Sequence, residues 1–254
     1  MKDSQEYLDR KAFFASLITV YGRNVVMEML EEPNVEVVKI HMSESNKKEG
    51  VIKKIISIAQ EKNIEILWHD NKSLSRISKN AKQDQGIAAD IKATNYLDAT
   101  AYLKDPKEGY RFIALDGVQN PANLGMIIRS VAAGYIDGII LPNQNSAKIS
   151  PLVIKGSAGT LFKTKILYCD TLNKSLKEFK EDGAKVYSLS LDAKDSLFDK
   201  KIAKKAIYIL GNESDGVSPG IGALATDSLY IPMNNGVESL NVAVTAALLA
   251  FYTG

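Results

Sequence analysis

Two amides, a guanidinium, a carboxylate and a hydroxyl stand out in the second half of the chain: Asn123, Asn241, Arg129, Glu213 and Ser239. They lie in three short polar segments, Asn120-Pro121-Ala122-Asn123-Leu124-Gly125-Met126-Ile127-Ile128-Arg129, Gly211-Asn212-Glu213-Ser214-Asp215-Gly216 and Ser239-Leu240-Asn241-Val242, the last preceded by Ile231-Pro232-Met233. Such a set can orient a sugar or phosphate and hold a polar cofactor, but it offers no strong nucleophile at neutral pH. Asn123 and Arg129 are six positions apart, which on one regular helix places them on different faces. If both serve one site, Asn123 must act from the loop or first turn. Taken singly, each residue has a plainer explanation: Asn123 as a helix cap, Arg129 in a surface pair, Glu213 facing solvent, Ser239 capping the last helix with Asn241 in its first turn. Those explanations do not account for three such turns in one half of the chain.

Each polar segment directly follows an apolar, strand-like run, at 112–115, 206–210 and 229–231. In open α/β sheets, ligands bind at the carboxyl ends of strands. Further strands are expected at 138–141, 165–168 and 185–189, with helices at 124–133, 149–161, 172–181, around 220–225 and at 242–252. Strands alternating with helix-length segments imply a largely parallel sheet covered on both faces. The first part alternates on a shorter period: helix 24–32, stopped by Pro33, then strand 35–40, helix 51–60, strand 64–68, helix 73–80 and strand 87–91. The expected organisation is an α/β domain at 1–95, a linker at 96–109 rich in turn-forming residues, and a second α/β domain at 110–254.

The 254 residues can bury a substantial core. With 45% hydrophobic and 24% charged residues and no long apolar run or signal-peptide pattern, the chain reads as a cytoplasmic globular protein without a membrane span. One cysteine, Cys169, cannot form an intramolecular disulfide, and with only His41 and His69 besides, no metal site is expected. The net charge of +2 makes no global case for nucleic acid. Lys47, Lys48, Lys53 and Lys54, and Arg76, Lys79 and Lys82, form local clusters that charge alone assigns to solvated helix faces. No G-x-G-x-x-G, Walker lysine or Gly-x-Ser-x-Gly motif is present, which argues against dinucleotide dehydrogenases, P-loop enzymes and Ser-His hydrolases.

The three segments, in this order and with Ser157-Ala158-Gly159 as a weaker fourth, resemble the SpoU/TrmH family of RNA 2′-O-ribose methyltransferases. The resemblance implies a SPOUT-type parallel sheet with a trefoil knot in the C-terminal domain, S-adenosylmethionine as cofactor, an RNA partner and a homodimer. It also implies catalytic positions at Asn123, Arg129, Glu213, Ser239 and Asn241. Cofactor contacts fall at Gly211, Ile231 and Leu240, mainly through the backbone, with Leu189, Asn212 and Met233 nearby. Tyr21-Gly22 and Gln85-Gly86 resemble the family's L30e-like N-terminal RNA-binding domain, although Asp84 stands where members often carry His. That extra domain points to a guanosine of large-subunit rRNA as substrate. A tRNA, a resistance-type rRNA adenosine, a catalytically silent RNA-binding homologue and an unrelated α/β nucleotide enzyme are the alternatives.

Overall fold

The computed structural model describes residues 17–33, 35–78, 84–93, 96–212 and 214–253. They divide into two compact units, one drawn from residues 1–94 and 149–151, the other from 95–148 and 152–254.

The first unit holds a four-stranded sheet ordered β1-β4-β2-β3, with β1 Ile18–Tyr21, β2 Val35–Ser43, β3 Glu65–His69 and β4 Ile87–Ala93. β4 runs antiparallel to both neighbours, and β2 is parallel to β3. Period-two alternation puts Val20, Ile40, Met42, Ile87 and Ala89 on one face, where all are buried. Helices α1 Arg23–Glu31 and α2 Gly50–Glu61 supply the complementary apolar stripes, Val26, Met29 and Leu30 from one and Ile52, Ile55 and Ala59 from the other. A third helix, α3 Asn71–Ser78, buries Leu74.

The opposite sheet face is polar, and its side chains form a ladder across all four strands. Thr19 Oγ1 donates to Asp90 Oδ1 at 2.7 Å, Asp90 Oδ2 lies 3.1 Å from His41 Nε2, and His41 Nδ1 lies 3.0 Å from His69 Nε2. Burial opposes the charge on Asp90, yet the hydrogen bonds from His41 and Thr19, with Lys39 nearby, hold its carboxyl below the usual carboxylate range.

The second unit is built on eight strands ordered β10-β12-β9-β11-β6-β7-β8-β5, all parallel. In chain order these are β5 Tyr96–Asp98, β6 Tyr110–Leu115, β7 Gly138–Pro142, β8 Lys165–Cys169, β9 Lys185–Leu189, β10 Asp195–Ser196, β11 Lys205–Leu210 and β12 Asp227–Tyr230. Helices α4 Ala99–Tyr102, α5 Pro121–Ala133, α6 Pro151–Gly156, α7 Leu172–Glu181, α8 Pro219–Gly222 and α9 Val242–Phe251 connect or follow them. On one face Tyr102, Tyr110, Phe112 and Phe179 pack with ring centroids 5.2–6.2 Å apart. α5 and α9 pack on each other, with Tyr135 N donating to Ala250 O where they end.

Three features depart from the sequence expectation. Segment 96–109, expected to be a linker, contributes β5 and α4 to the second unit: Tyr96 to Asp98 pair with Ile166 to Tyr168, and Asp98 caps α4 by accepting from Ala101 N. Three strand residues are too few to register as alternation. The helix expected over 149–161 is interrupted at Gly156 and resumes as a 3₁₀ turn at Thr160–Lys163, because Ala158 and Gly159 take positive φ. β1 was not anticipated, since four residues beside Tyr21-Gly22 give little pattern.

Candidate functional site

The chain runs outward from β6 through β7 to β8, then returns to the other side of β6 for β9, β11 and β12, so the order reverses between β6 and β11. A crevice outside the carboxyl ends of the strands is expected at such a reversal. There, Asp116 N donates to Leu210 O at 2.8 Å, tying the ends of β6 and β11, and Asp116 Oδ2 accepts from Ser218 N at 2.7 Å.

The described residues of the loop between those anchors are tied to one another locally. Asn212 Oδ1 accepts from the backbone of Ser214 and Asp215, at 2.8 and 2.6 Å, while Asn212 and Gly216 exchange two backbone hydrogen bonds. The strands of this small loop lie so close that a Cβ on Gly211 would sit 2.0 Å from the carbonyl carbon of Gly216, so no other residue fits. Asn212 therefore shapes the loop with its side chain and leaves Gly211 to present bare backbone to the crevice. Glu213 lies outside the described residues.

A pocket of about 470 Å³ opens beside this loop, lined by Leu189, Gly211, Asn212, Ser239, Leu240, Asn241 and Thr245 among others. A smaller adjoining one of about 170 Å³ shares Leu189, Ser239, Leu240 and Thr245 and adds Ile231, Met233 and Glu238. The carboxyl ends of β9, β11 and β12 thus contribute to two adjoining pockets of one hollow, and the six positions named for cofactor contact are divided between them. Its size suits a small-molecule ligand, and its walls combine apolar side chains with free backbone.

Asn241 joins this hollow to the first polar segment. Its Oδ1 caps α9 by accepting from Ala243 N at 2.8 Å, and its Nδ2 donates to Asn123 Oδ1 at 3.3 Å. Asn123 is 5% exposed in the first turn of α5 and is not the cap, because Asn120 Oδ1 accepts from the backbone of Ala122 and Asn123. Pro121 opens that helix, and Gly125 lets it approach Gly156 so closely that a Cβ would lie 2.8 Å from Gly156 Cα. The cap of α9 is Asn241 rather than Ser239, which sits exposed at the pocket rim.

Arg129 is not brought to this hollow. It is exposed on the same side of α5 as Met126, and no hydrogen bond or ion pair joins its guanidinium to another described residue. Two contributors were missed from the sequence. Thr245 lines both pockets, and its signal was available as the single hydroxyl in the otherwise apolar run Val242–Phe251. Asp116, a carboxylate immediately after β6, was the other.

The model of the SpoU rRNA methylase family matches residues 110–251, and that of the RNA 2′-O-ribose methyltransferase substrate-binding domain matches 19–97. The chain belongs to the SpoU rRNA methylase family. An uncharacterized tRNA/rRNA methyltransferase of Mycolicibacterium vanbaalenii is 30% identical over 233 residues, 91% of this chain and 74% of that one. The 23S rRNA (guanosine-2′-O-)-methyltransferase RlmB of Neisseria meningitidis is 27% identical over 231 residues, 91% of this chain and 92% of its own. Among solved structures, the SpoU methyltransferase AviRb of Streptomyces viridochromogenes, crystallised with its cofactor AdoMet, superimposes with a TM-score of 0.79 at 17% identity, over 98% of this chain and 91% of that one. The chain is thus an RNA 2′-O-methyltransferase of SPOUT architecture, and no helix among its described residues is long and apolar enough to cross a membrane.

Proposed function

We propose that this enzyme transfers the methyl group of S-adenosylmethionine to a guanosine 2′-hydroxyl of large-subunit rRNA. The observation that carries the reading is the Asn241–Asn123 hydrogen bond, which joins two segments 118 residues apart beside a hollow lined by Gly211, Leu189, Ile231 and Leu240. The donor set suits S-adenosylmethionine: backbone groups at Gly211 and Leu240 can bind the edges of a flat heterocycle, Leu189 and Ile231 can cover its faces, and the hydroxyls of Ser239 and Thr245 can take polar groups. When bound, that cofactor supplies an electrophilic methyl on a sulfonium.

The protein's own part is alignment and the handling of one proton. Asn123 and Ser239 orient the ribose, and Asn241 fixes Asn123. Glu213 is assigned to holding Arg129 or an amide side chain. Arg129 binds a substrate phosphate or assists the 2′-hydroxyl; its own pKa, above about 12, keeps it cationic in ordinary surroundings. Residues 1–95 recognise the RNA, and the 2′-hydroxyl itself distinguishes RNA from DNA.

We further infer a homodimer. Val244 and Phe251, 49% and 56% exposed and seven positions apart, lie on one apolar face of α9, and Met126 and Arg129 are exposed three positions apart on α5, the helix against which α9 packs. A second copy covering that face would explain both its composition and the separation of Arg129 from its own chain's pocket. The trefoil knot is supported by strand order: after β11 the chain passes beyond β9 to form β12, then returns to pack α9 on α5 and β11.

Incubation with tritiated S-adenosylmethionine and unmodified 23S rRNA, followed by digestion to nucleosides, tests the reading. Label in 2′-O-methylguanosine is expected. Label in another 2′-O-methylnucleoside would correct the base, and label on a base ring or none at all would overturn the function.

A further inference from the structure

The same end of all four strands in the first unit forms one edge. Gly22 and Arg23 follow β1, Gln85 and Gly86 precede the antiparallel β4, Asn46 and Lys48 follow β2, and Trp68 and His69 end β3. Three strand spacings separate its extremes, about 14 Å. Along this edge, positive charge is held in place without an ion pair to another described residue. Arg23 Nε donates to Gln85 O at 3.2 Å and its Nη2 to Asn46 Oδ1 at 3.0 Å, both neutral acceptors. Lys48 Nζ rests 5.0 Å from the centroid of the Trp68 ring, a cation–π contact. Lys47 and Lys53 are exposed nearby, with Glu44 and Glu49 as the acidic residues of the same stretch.

Trp68 is the chain's single tryptophan, and it is 38% exposed on the terminal strand of the sheet. An indole that is partly open at a strand end offers a flat face on which a nucleic-acid base can stack. The feature that often excludes an RNA from such an edge, a free carboxylate at the turn, is absent at Asp84. Asp84 is buried and turned inward, accepting from Ser78 Oγ at 2.9 Å and Gly86 N at 3.0 Å, so it builds the Gln85-Gly86 turn and leaves the edge to Arg23.

We propose that this edge holds an unpaired nucleotide of the RNA substrate, with its base stacked on Trp68 and neighbouring phosphates on Arg23 and Lys48. The inference rests on the reading that residues 1–95 bind RNA and adds which part of the RNA they take. Aromatic stacking needs a base freed from its helix, so the unit selects a loop or bulge over continuous duplex. Lys48, which rests on the ring and forms no ion pair with another described residue, can move from the indole to a phosphate as the base arrives. Arg23, pre-set by two neutral acceptors, loses little freedom on binding.

The single tryptophan makes the test direct. Full-length protein is titrated with an RNA hairpin carrying an unpaired loop, and separately with the same stem closed as continuous duplex. Tryptophan emission is followed alongside the anisotropy of a label on the RNA. Saturable quenching by the hairpin at the anisotropy midpoint is expected, with weaker binding and little quenching by the duplex. Trp68→Leu should bind the hairpin about 5- to 100-fold more weakly, Trp68→Phe should retain part of the affinity, and Lys48→Gln should lower the salt dependence. Hairpin binding with unchanged emission, or with wild-type affinity in Trp68→Leu, would overturn the stacking site and leave the RNA reading standing. Absence of RNA binding by the wild-type protein would overturn both.

Discussion

The two units each place polar groups at a sheet edge, but they hold them by different means. In the first unit the edge carries charged and aromatic side chains, Arg23, Lys48 and Trp68, fixed by contacts to neutral oxygens or to one another. In the second, the described groups that face the hollow include neutral amides and bare backbone, locked by helix caps and by a loop too tight for any side chain at Gly211. A charged, aromatic edge suits a polyanion with exposed bases. A stiff, neutral one suits a reaction whose difficulty is alignment. Location at a strand end identifies a binding edge, while the way its groups are held indicates what that edge does.

The sharpest way to break the comparison is Gly211→Ala. The added carbon must displace the Gly216 backbone and shift the loop, and S-adenosylmethionine affinity by calorimetry should fall about 10- to 100-fold, roughly 1.4–2.8 kcal/mol. RNA affinity should hold, and a parallel loss of both would merge the roles assigned to the two units. Asn241→Asp comes next. It keeps an oxygen to cap α9 but removes the donor to Asn123, so thermal stability should stay near wild type while kcat drops about tenfold or more. Unchanged turnover would reduce that contact to packing.

The smallest effect is expected in the first unit. The Asp90 carboxyl is held below its ordinary pKa in the folded chain, so its contribution to stability is present above the unfolded value of about 3.9 and is lost as pH falls through the folded value. Denaturant midpoints of Asp90→Asn should therefore lie below wild type at neutral pH, with the gap closing below about pH 4. A gap that persists unchanged at pH 3 would place the cost elsewhere than in the charge.

Much of the second unit was legible because its strands are long apolar runs punctuated by helices, a pattern that fixes parallel pairing. The polar segments after β6 and β11, and before α9, stood out for the same reason. What escaped notice was set by tertiary pairing. β5 is three residues whose only strong partner is β8, and the Asn241–Asn123 contact depends on the return of α9 to α5. The separation of Asn123 from Arg129 was readable from helical periodicity, but which of the two would turn inward was not. Burial of Asn123 and exposure of Arg129 follow from how α5 packs. In the first unit the ladder from Thr19 to His69 joins residues scattered over four strands, and no local pattern announces it.

In the function proposed here, Asn123 and Asn241, one from each end of the catalytic half, act as one device on the substrate ribose. Single-turnover methyl transfer by Asn123→Ala, Asn241→Ala and the double variant, at saturating cofactor, measures this most directly. The double variant is predicted to be about as slow as the slower single one. Losses that multiply, or a single variant with wild-type turnover, would contradict it.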